Sequence, residues 1–186
     1  MRVVAGRFKG KSLAAPKGLN TRPTTDRVRE ALFNVLTHGE PQIAFKDVRA
    51  LDLFAGSGAL GLEALSRGAR YCLFIDENAA ARATIRRNVE ALGLTGTTKI
   101  WRRDATRLGP VGTMKPFDLV FCDPPYGREL GTRALKAAIE GGWLAENAIT
   151  VLEEQAGKVL HWPQRLIEID RRRYSDTEIA IARYER

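Results

Sequence analysis

The stretch Phe117–Gly127, FDLVFCDPPYG, ends an apolar run abruptly in one acid, two prolines and an aromatic ring. Proline lacks a backbone N–H and holds its predecessor extended, so this corner is stiff. An exocyclic amine on a nucleobase is a poor nucleophile, because its lone pair is delocalised into the ring. Acceptors placed on its two N–H groups draw the nitrogen toward a pyramidal geometry and aim the lone pair outward at an electrophile. Asp123 offers a carboxylate for this, and the Pro124 carbonyl offers a second acceptor held in direction by the Pro124-Pro125 step. Tyr126 adds a flat face on which an extruded base can stack. A bare PPY would read as a stiffened turn with a core aromatic. A glycine-rich loop one sheet position away favours the functional reading.

That loop is LDLFAGSGALG. After Phe54 and Ala55 comes Gly56-Ser57-Gly58-Ala59-Leu60-Gly61, a G-x-G-x-x-G between a strand and a helix. Such glycines allow a tight turn and close approach of a ligand to backbone N–H groups at a helix start. Asp76, followed by Glu77, ends the next strand, where it can accept from ribose hydroxyls. Alone, this pattern fits NAD, FAD or S-adenosylmethionine. Asp52, just ahead of the loop, would repel a pyrophosphate but suits a cationic amine. Asp104, ending the third strand, can accept from an adenine amino group. Three acids at the ends of three successive strands surround one crevice, and S-adenosylmethionine, with an amine, a ribose, an adenine and no phosphate, matches them better than a dinucleotide.

The elements that must position these groups alternate. RALDLFAG, YCLFIDE, TKIWRRDA, FDLVFCD and AITVLEEQ read as strands, and helices follow the first, second and fourth, the first two closed by Gly68 and Gly93. The tail RLIEIDRRRYSDTEIAIARYE reads as two further strands around Ser175 and Asp176. The expectation is an α/β, Rossmann-like, doubly wound and mostly parallel seven-stranded sheet with an antiparallel terminal pair. Ahead of it, VVAGRFKGKSLAAP reads as a short basic hairpin or arm, and PKGLNTRPTT as a linker. Val28, Ala31, Leu32, Val35 and Leu36 then predict one face of a helix, with Thr24, Thr25 or Asp26 as its N-cap. The 186 residues fit one domain: arm and linker over 1–25, catalytic core over 26–186.

Charge is concentrated. The net charge is +8, and residues 1–29 hold eight basic groups against the single acid Asp26, leaving 22 basic and 21 acidic groups elsewhere. An arm carrying Arg2, Arg7, Lys9, Lys11, Lys17 and Arg22 is an electrostatic footprint for a polyanion, nucleic acid first. No apolar run approaches the ~20 residues of a membrane span, and the N-terminus is too polar for a signal peptide. Cys72 and Cys122 read as buried free thiols of a reducing, cytoplasmic protein. His38 and His161 have no companions, so no metal is implied. Trp143 and Trp162 read as packing residues, whereas Arg102, Arg103 and Arg171 to Arg173 could face RNA or solvent.

LDLFAGSG, FIDEN, RRDA and FDLVFCDPPY resemble the ordered motifs of Class I S-adenosylmethionine-dependent amino-methyltransferases. RVVAGRFKGKSL and RPTTDRVREALFNVL resemble more narrowly the N-terminal signature of bacterial 16S ribosomal RNA (guanine(966)-N2)-methyltransferases of the RsmD type. The resemblance runs from Arg2 to about Gln155. It implies Asp52, Gly56 and Gly58 around the methionine end of the cofactor, Asp76 at the ribose, and Asp104 with Ala105 at the adenine. It implies Asp123, Pro124 and Tyr126 on the target guanine, and Arg22-Pro23-Thr24 closing over the cofactor. Cys122 replaces a more usual aliphatic residue of similar size. The implied protein is a monomer that uses direct methyl transfer to mark a flipped-out base of 16S rRNA in a small ribosomal subunit. Two alternatives stand beside this one: a DNA adenine-N6 or cytosine-N4 methyltransferase, and an NAD-binding oxidoreductase or non-catalytic nucleotide-binding module.

Overall fold

Ala50, Cys72 and Phe74 point to one side of a sheet, and Leu51, Leu53, Leu73 and Ile75 to the other, all fully buried. Two-sided burial is why these strands read as near-continuous apolar runs and why helices must cover both faces. The computed structural model describes residues 1–16 and 25–186. Its elements are α1 (Asp26–His38), β1 (Arg49–Leu53), α2 (Ala59–Ser66), β2 (Tyr71–Ile75), α3 (Ala79–Ala91), β3 (Thr98–Trp101), β4 (Phe117–Cys122), α4 (Leu130–Glu140), β5 (Leu144–Gln155), β6 (Leu166–Tyr174) and β7 (Thr177–Tyr184).

The seven strands lie in the order β3-β2-β1-β4-β5-β7-β6. The first five are parallel, whereas β7 runs antiparallel to both β5 and β6. The sheet is thus the Rossmann-like, mostly parallel one expected, with its antiparallel closing pair turning at Ser175 in a left-handed conformation (φ 58°). Strand order reverses between β1 and β4, so a crevice opens beyond their C-terminal ends. Both the glycine loop after β1 and the DPPY corner after β4 empty into it.

One face of the sheet is covered by the N-terminal arm, α1, α2 and α3, and the other by α4 with the segments around Leu108 and Trp162. Gly61, the third glycine of the loop motif, lets α2 lie close on the sheet. A Cβ there would come within 2.5 Å of the Phe74 ring and 2.6 Å of the Cys72 sulfur.

Several boundaries differ from those expected. Thr25 is the N-cap of α1, its hydroxyl accepting from the Val28 N–H at 3.2 Å. The fully buried face of α1 is Arg29, Leu32, Phe33 and Leu36. It is turned from the expected stripe because a charged residue occupies a core position. The third strand ends at Trp101. Arg103 leaves the ladder, donating to the Leu108 carbonyl at 2.7 Å and lying over the Trp101 ring at 4.9 Å. The arm is not a pair of strands. A single bridge, Arg2 to Ser12, closes it, because residues 5–10 are spent in turns.

Candidate functional site

A cavity of about 710 Å³ opens at the strand-order reversal. Into it converge Asp52, Phe54, Ala55, Gly56 and Ser57 from the end of β1 and the glycine loop, Asp76 from the end of β2, and Asp123, Pro124, Pro125 and Tyr126 from the corner after β4. The two sequence motifs are thus opposite walls of one chamber, of a size that holds a small ligand.

The glycine loop is shaped by its backbone. Phe54, Gly56 and Gly58 all take positive φ, at 57°, 57° and 77°. The Phe54 conformation is costly for a residue with a side chain and marks a loop held by its surroundings. Asp76 is one holder. Its carboxylate accepts from the Gly56 N–H at 2.9 Å and from the Asn78 N–H at 2.8 Å. Each oxygen keeps lone-pair capacity, so the same carboxylate can still receive a diol.

Asp52 is almost fully buried, and its carboxylate accepts from the Gly61 N–H at 3.0 Å. Burial pushes its pKa up from 3.8 to about 8, the Gly61 bond pulling it down in part and the Asp76 charge adding to the rise. A ligand ammonium set against it would restore the ionised form. That property and the wall carboxylates fit the amino acid end and ribose of S-adenosylmethionine.

At the far wall Pro124 is buried and Asp123 half-buried. Tyr126 is 43% exposed, and its hydroxyl shares a hydrogen bond of 3.1 Å with Thr177 at the start of β7. The tether holds Tyr126 at the chamber, among its lining residues. Glu77, Asp104 and Ala105 are not among the lining residues. Glu77 is exposed after β2. The Asp104 carboxylate accepts from the Thr106 hydroxyl at 2.7 Å and its N–H at 2.8 Å, bonds that hold it below the usual carboxylate range. Thr24, Lys17 and Arg22 lie outside the described residues.

The arm supplies a wall that the sequence did not suggest. Met1, Ala15 and Pro16 line the chamber beside Ser57. The backbone of the arm is clamped to the core. Val4 and Ala5 donate to the Glu63 carboxylate at 2.8 and 2.9 Å, Phe8 donates to the Ser66 hydroxyl, and Ala14 exchanges two bonds with Asn88. Asn88 also donates to the Ser57 carbonyl, tying arm and glycine loop together. Arg2, Arg7, Lys9 and Lys11 all stay exposed on this docked scaffold.

Arg29 also lines the chamber and is fully buried. Its guanidinium donates to the Arg2 carbonyl and to Asp26 at 2.9 Å, with Glu63 at 3.8 Å. Its Nε and Nη1 have no hydrogen-bond partner among the described residues. Arg29 stands three residues before Leu32, but an arginine there reads as a surface residue until the elements that bury it are known. Glu153 is a further lining residue that sequence reasoning missed, a buried acid near the end of β5. Other residues left open by the sequence have partners or burial in the structure. Arg171 pairs with Glu168 and Glu178, and Arg172 with Asp170. Trp143 is fully buried, and both cysteines are buried free thiols.

A family model described as "Conserved hypothetical protein 95" matches residues 1–183. The chain belongs to this family. It is 42% identical over 156 residues to the Bacillus subtilis protein YlbH, described as a candidate rRNA methyltransferase, with 82% of each chain covered. It is 38% identical to the Escherichia coli ribosomal RNA small subunit methyltransferase D, across 83% of this chain and 75% of that protein. Among solved structures, a candidate methyltransferase of Escherichia coli, yhhF, superposes with a TM-score of 0.84 at 32% identity, covering 100% of this chain and 98% of that one. The RsmD-type resemblance read in the motifs is borne out. No helix among the described residues is long and apolar enough to cross a membrane.

Proposed function

We propose that this protein methylates the exocyclic N2 amine of a guanine in small-subunit ribosomal RNA, using S-adenosylmethionine. One observation carries the reading: the DPPY corner and the glycine loop, with Asp52 and Asp76, open into the same cavity. Relatives named as rRNA methyltransferases across most of the chain support the substrate class. Bound against Asp52 and Asp76, the cofactor supplies an electrophilic methyl group.

The protein's own groups do the rest by positioning. Asp52 holds the cofactor's ammonium and Asp76 its ribose hydroxyls. Asp104 and Ala105, in the turn after β3 and outside the chamber lining, are assigned to the adenine end. Asp123 and the Pro124 carbonyl accept the two N–H bonds of the target amine and turn its lone pair toward the cofactor. Tyr126 stacks under the extruded base, its ring kept upright by Thr177. Asp123 then takes up the proton that the amine releases. The exposed cations of the arm bind the phosphates around the target.

The test is incubation with labelled S-adenosylmethionine and either small subunits or naked 16S RNA lacking the mark, followed by nucleoside mass spectrometry. N2-methylguanosine is the expected product. Good cofactor binding with label in neither RNA would overturn the reading, and label in DNA alone would move it to the DNA enzymes.

A further inference from the structure

Glu153 lies at the end of β5 beside the DPPY corner. The last registered pair between β4 and β5 is Cys122 with Leu152, so Asp123 and Glu153 follow at the same level on adjacent strands. Neighbouring strands are about 4.8 Å apart, and residues level with one another point to the same face. That face is shown by their neighbours two positions back. Phe121 and Val151 both pack in the layer containing α1 and the arm. Asp52, paired with Phe121, faces the same way. Glu153 is 7% exposed, and it lines the chamber with Asp123, Pro124 and Tyr126. A second carboxylate therefore stands next to the one assigned to the amine.

We infer that Glu153 is a specificity residue that accepts the guanine N1–H while Asp123 and the Pro124 carbonyl hold the neighbouring N2 amine. The inference rests on the guanine-N2 reading above. Guanine presents N1–H and N2–H as adjacent donors, so two level carboxylates meet two donors side by side. Adenine N1 and cytosine N3, beside their own amines, carry lone pairs. A carboxylate facing either would set acceptor against acceptor, and leaving buried polar groups unpaired is how a site rejects the wrong ligand. A corner that could serve any amino base thus becomes selective through one residue on the next strand.

2-Aminopurine separates this role from amine binding, because it keeps the 2-amine but has a bare lone pair at N1. The experiment compares single-turnover rates on RNA bearing guanine or 2-aminopurine at the methylated position, for the wild type, Glu153→Gln and Glu154→Gln. The wild type should prefer guanine by about tenfold or more. Gln can turn its amide to donate to N1, so Glu153→Gln should shrink the preference to within about threefold. Glu154, buried on the opposite side of the strand and outside the chamber lining, serves as control, and its variant should keep the wild-type ratio. Comparing the ratio between wild type and variant cancels the intrinsic reactivity of the two bases and any general loss of activity. An unchanged ratio in Glu153→Gln overturns the inference. So does a wild type that methylates both bases equally, a result that holds even if the variant fails to fold. In either case methylation of guanine by the wild type leaves the broader reading standing, whereas no methylation of guanine removes both.

Discussion

Asp52 holds a carboxyl group in a place where its charge is costly. With its pKa raised from 3.8 to about 8, the folded free protein binds a proton there that the unfolded chain releases. Stability gained from that proton is full below about pH 4 and is lost as pH rises toward 8. A ligand ammonium reverses the balance by favouring the ionised form. Melting temperatures of the free protein should therefore fall between pH 5 and 8, and saturating cofactor should flatten the decline. Asp52→Asn should remove the slope and weaken cofactor binding by about ten- to a hundredfold, the cost of losing a charge-assisted bond; calorimetric titration across that range checks both. Asp123 is assigned to the other substrate. Asp123→Ala should cut methyl transfer by about a hundred- to a thousandfold while cofactor affinity stays within a few-fold. These residues were legible because their chemistry depends on type and on place at a strand end. Arg29 and Glu153 were not. An arginine in a helical stripe and an acid in a strand look like surface residues until the partner element that buries them is known.

Among the elements, α2 has the least obvious duty. It carries Glu63, fully buried, whose carboxylate takes two N–H bonds from the arm and pairs with Arg67 at 2.9 Å and Arg29 at 3.8 Å. One side chain thus joins the arm, α1 and α2. Removing one member of a buried ionic cluster strands the rest, so Glu63→Gln should destabilise the fold by about 3 kcal/mol in urea unfolding. It should also cost the Val4 and Ala5 amides their hydrogen-exchange protection. Strands and helices were readable from period and from the glycine closures, whereas the arm was read as two strands. Its glycine-containing turn suggested a hairpin, but a Cβ on Gly6 would lie 2.0 Å from the Ser66 carbonyl oxygen. That glycine is there to bring the arm's backbone onto the end of α2.

Across the whole molecule, the described cations of the arm, Arg2, Arg7, Lys9 and Lys11, sit on a backbone docked to the core. Arg7, Lys9 and Lys11 are exposed, and the turn that carries them is bonded to Ser66 at the C-terminal end of α2. Replacing the three with Gln should weaken RNA binding, and each lost phosphate contact should lower the slope of log K against log salt by about 0.7 for single-stranded RNA. Filter binding across a salt series reads the slope directly, and affinity for the free cofactor should not change. The mostly parallel sheet with its antiparallel terminal pair followed from strand–helix alternation and the closing strand pair. That the basic arm would double as a pocket wall did not follow, because contacts between the arm and Ser57 depend on Asn88, far along the chain.

The position of Met1 in that wall bears on how the protein can be fused to other sequences. Any peptide joined ahead of Met1 departs from the rim of the ligand chamber. The other end is different, since β7 runs back against β5 and Arg183 lies level with Ile149, toward the edge of the sheet away from the cavity. An affinity handle or fluorescent partner after Arg186 therefore leaves the chamber mouth clear, and the same partner at the front would stand at its rim.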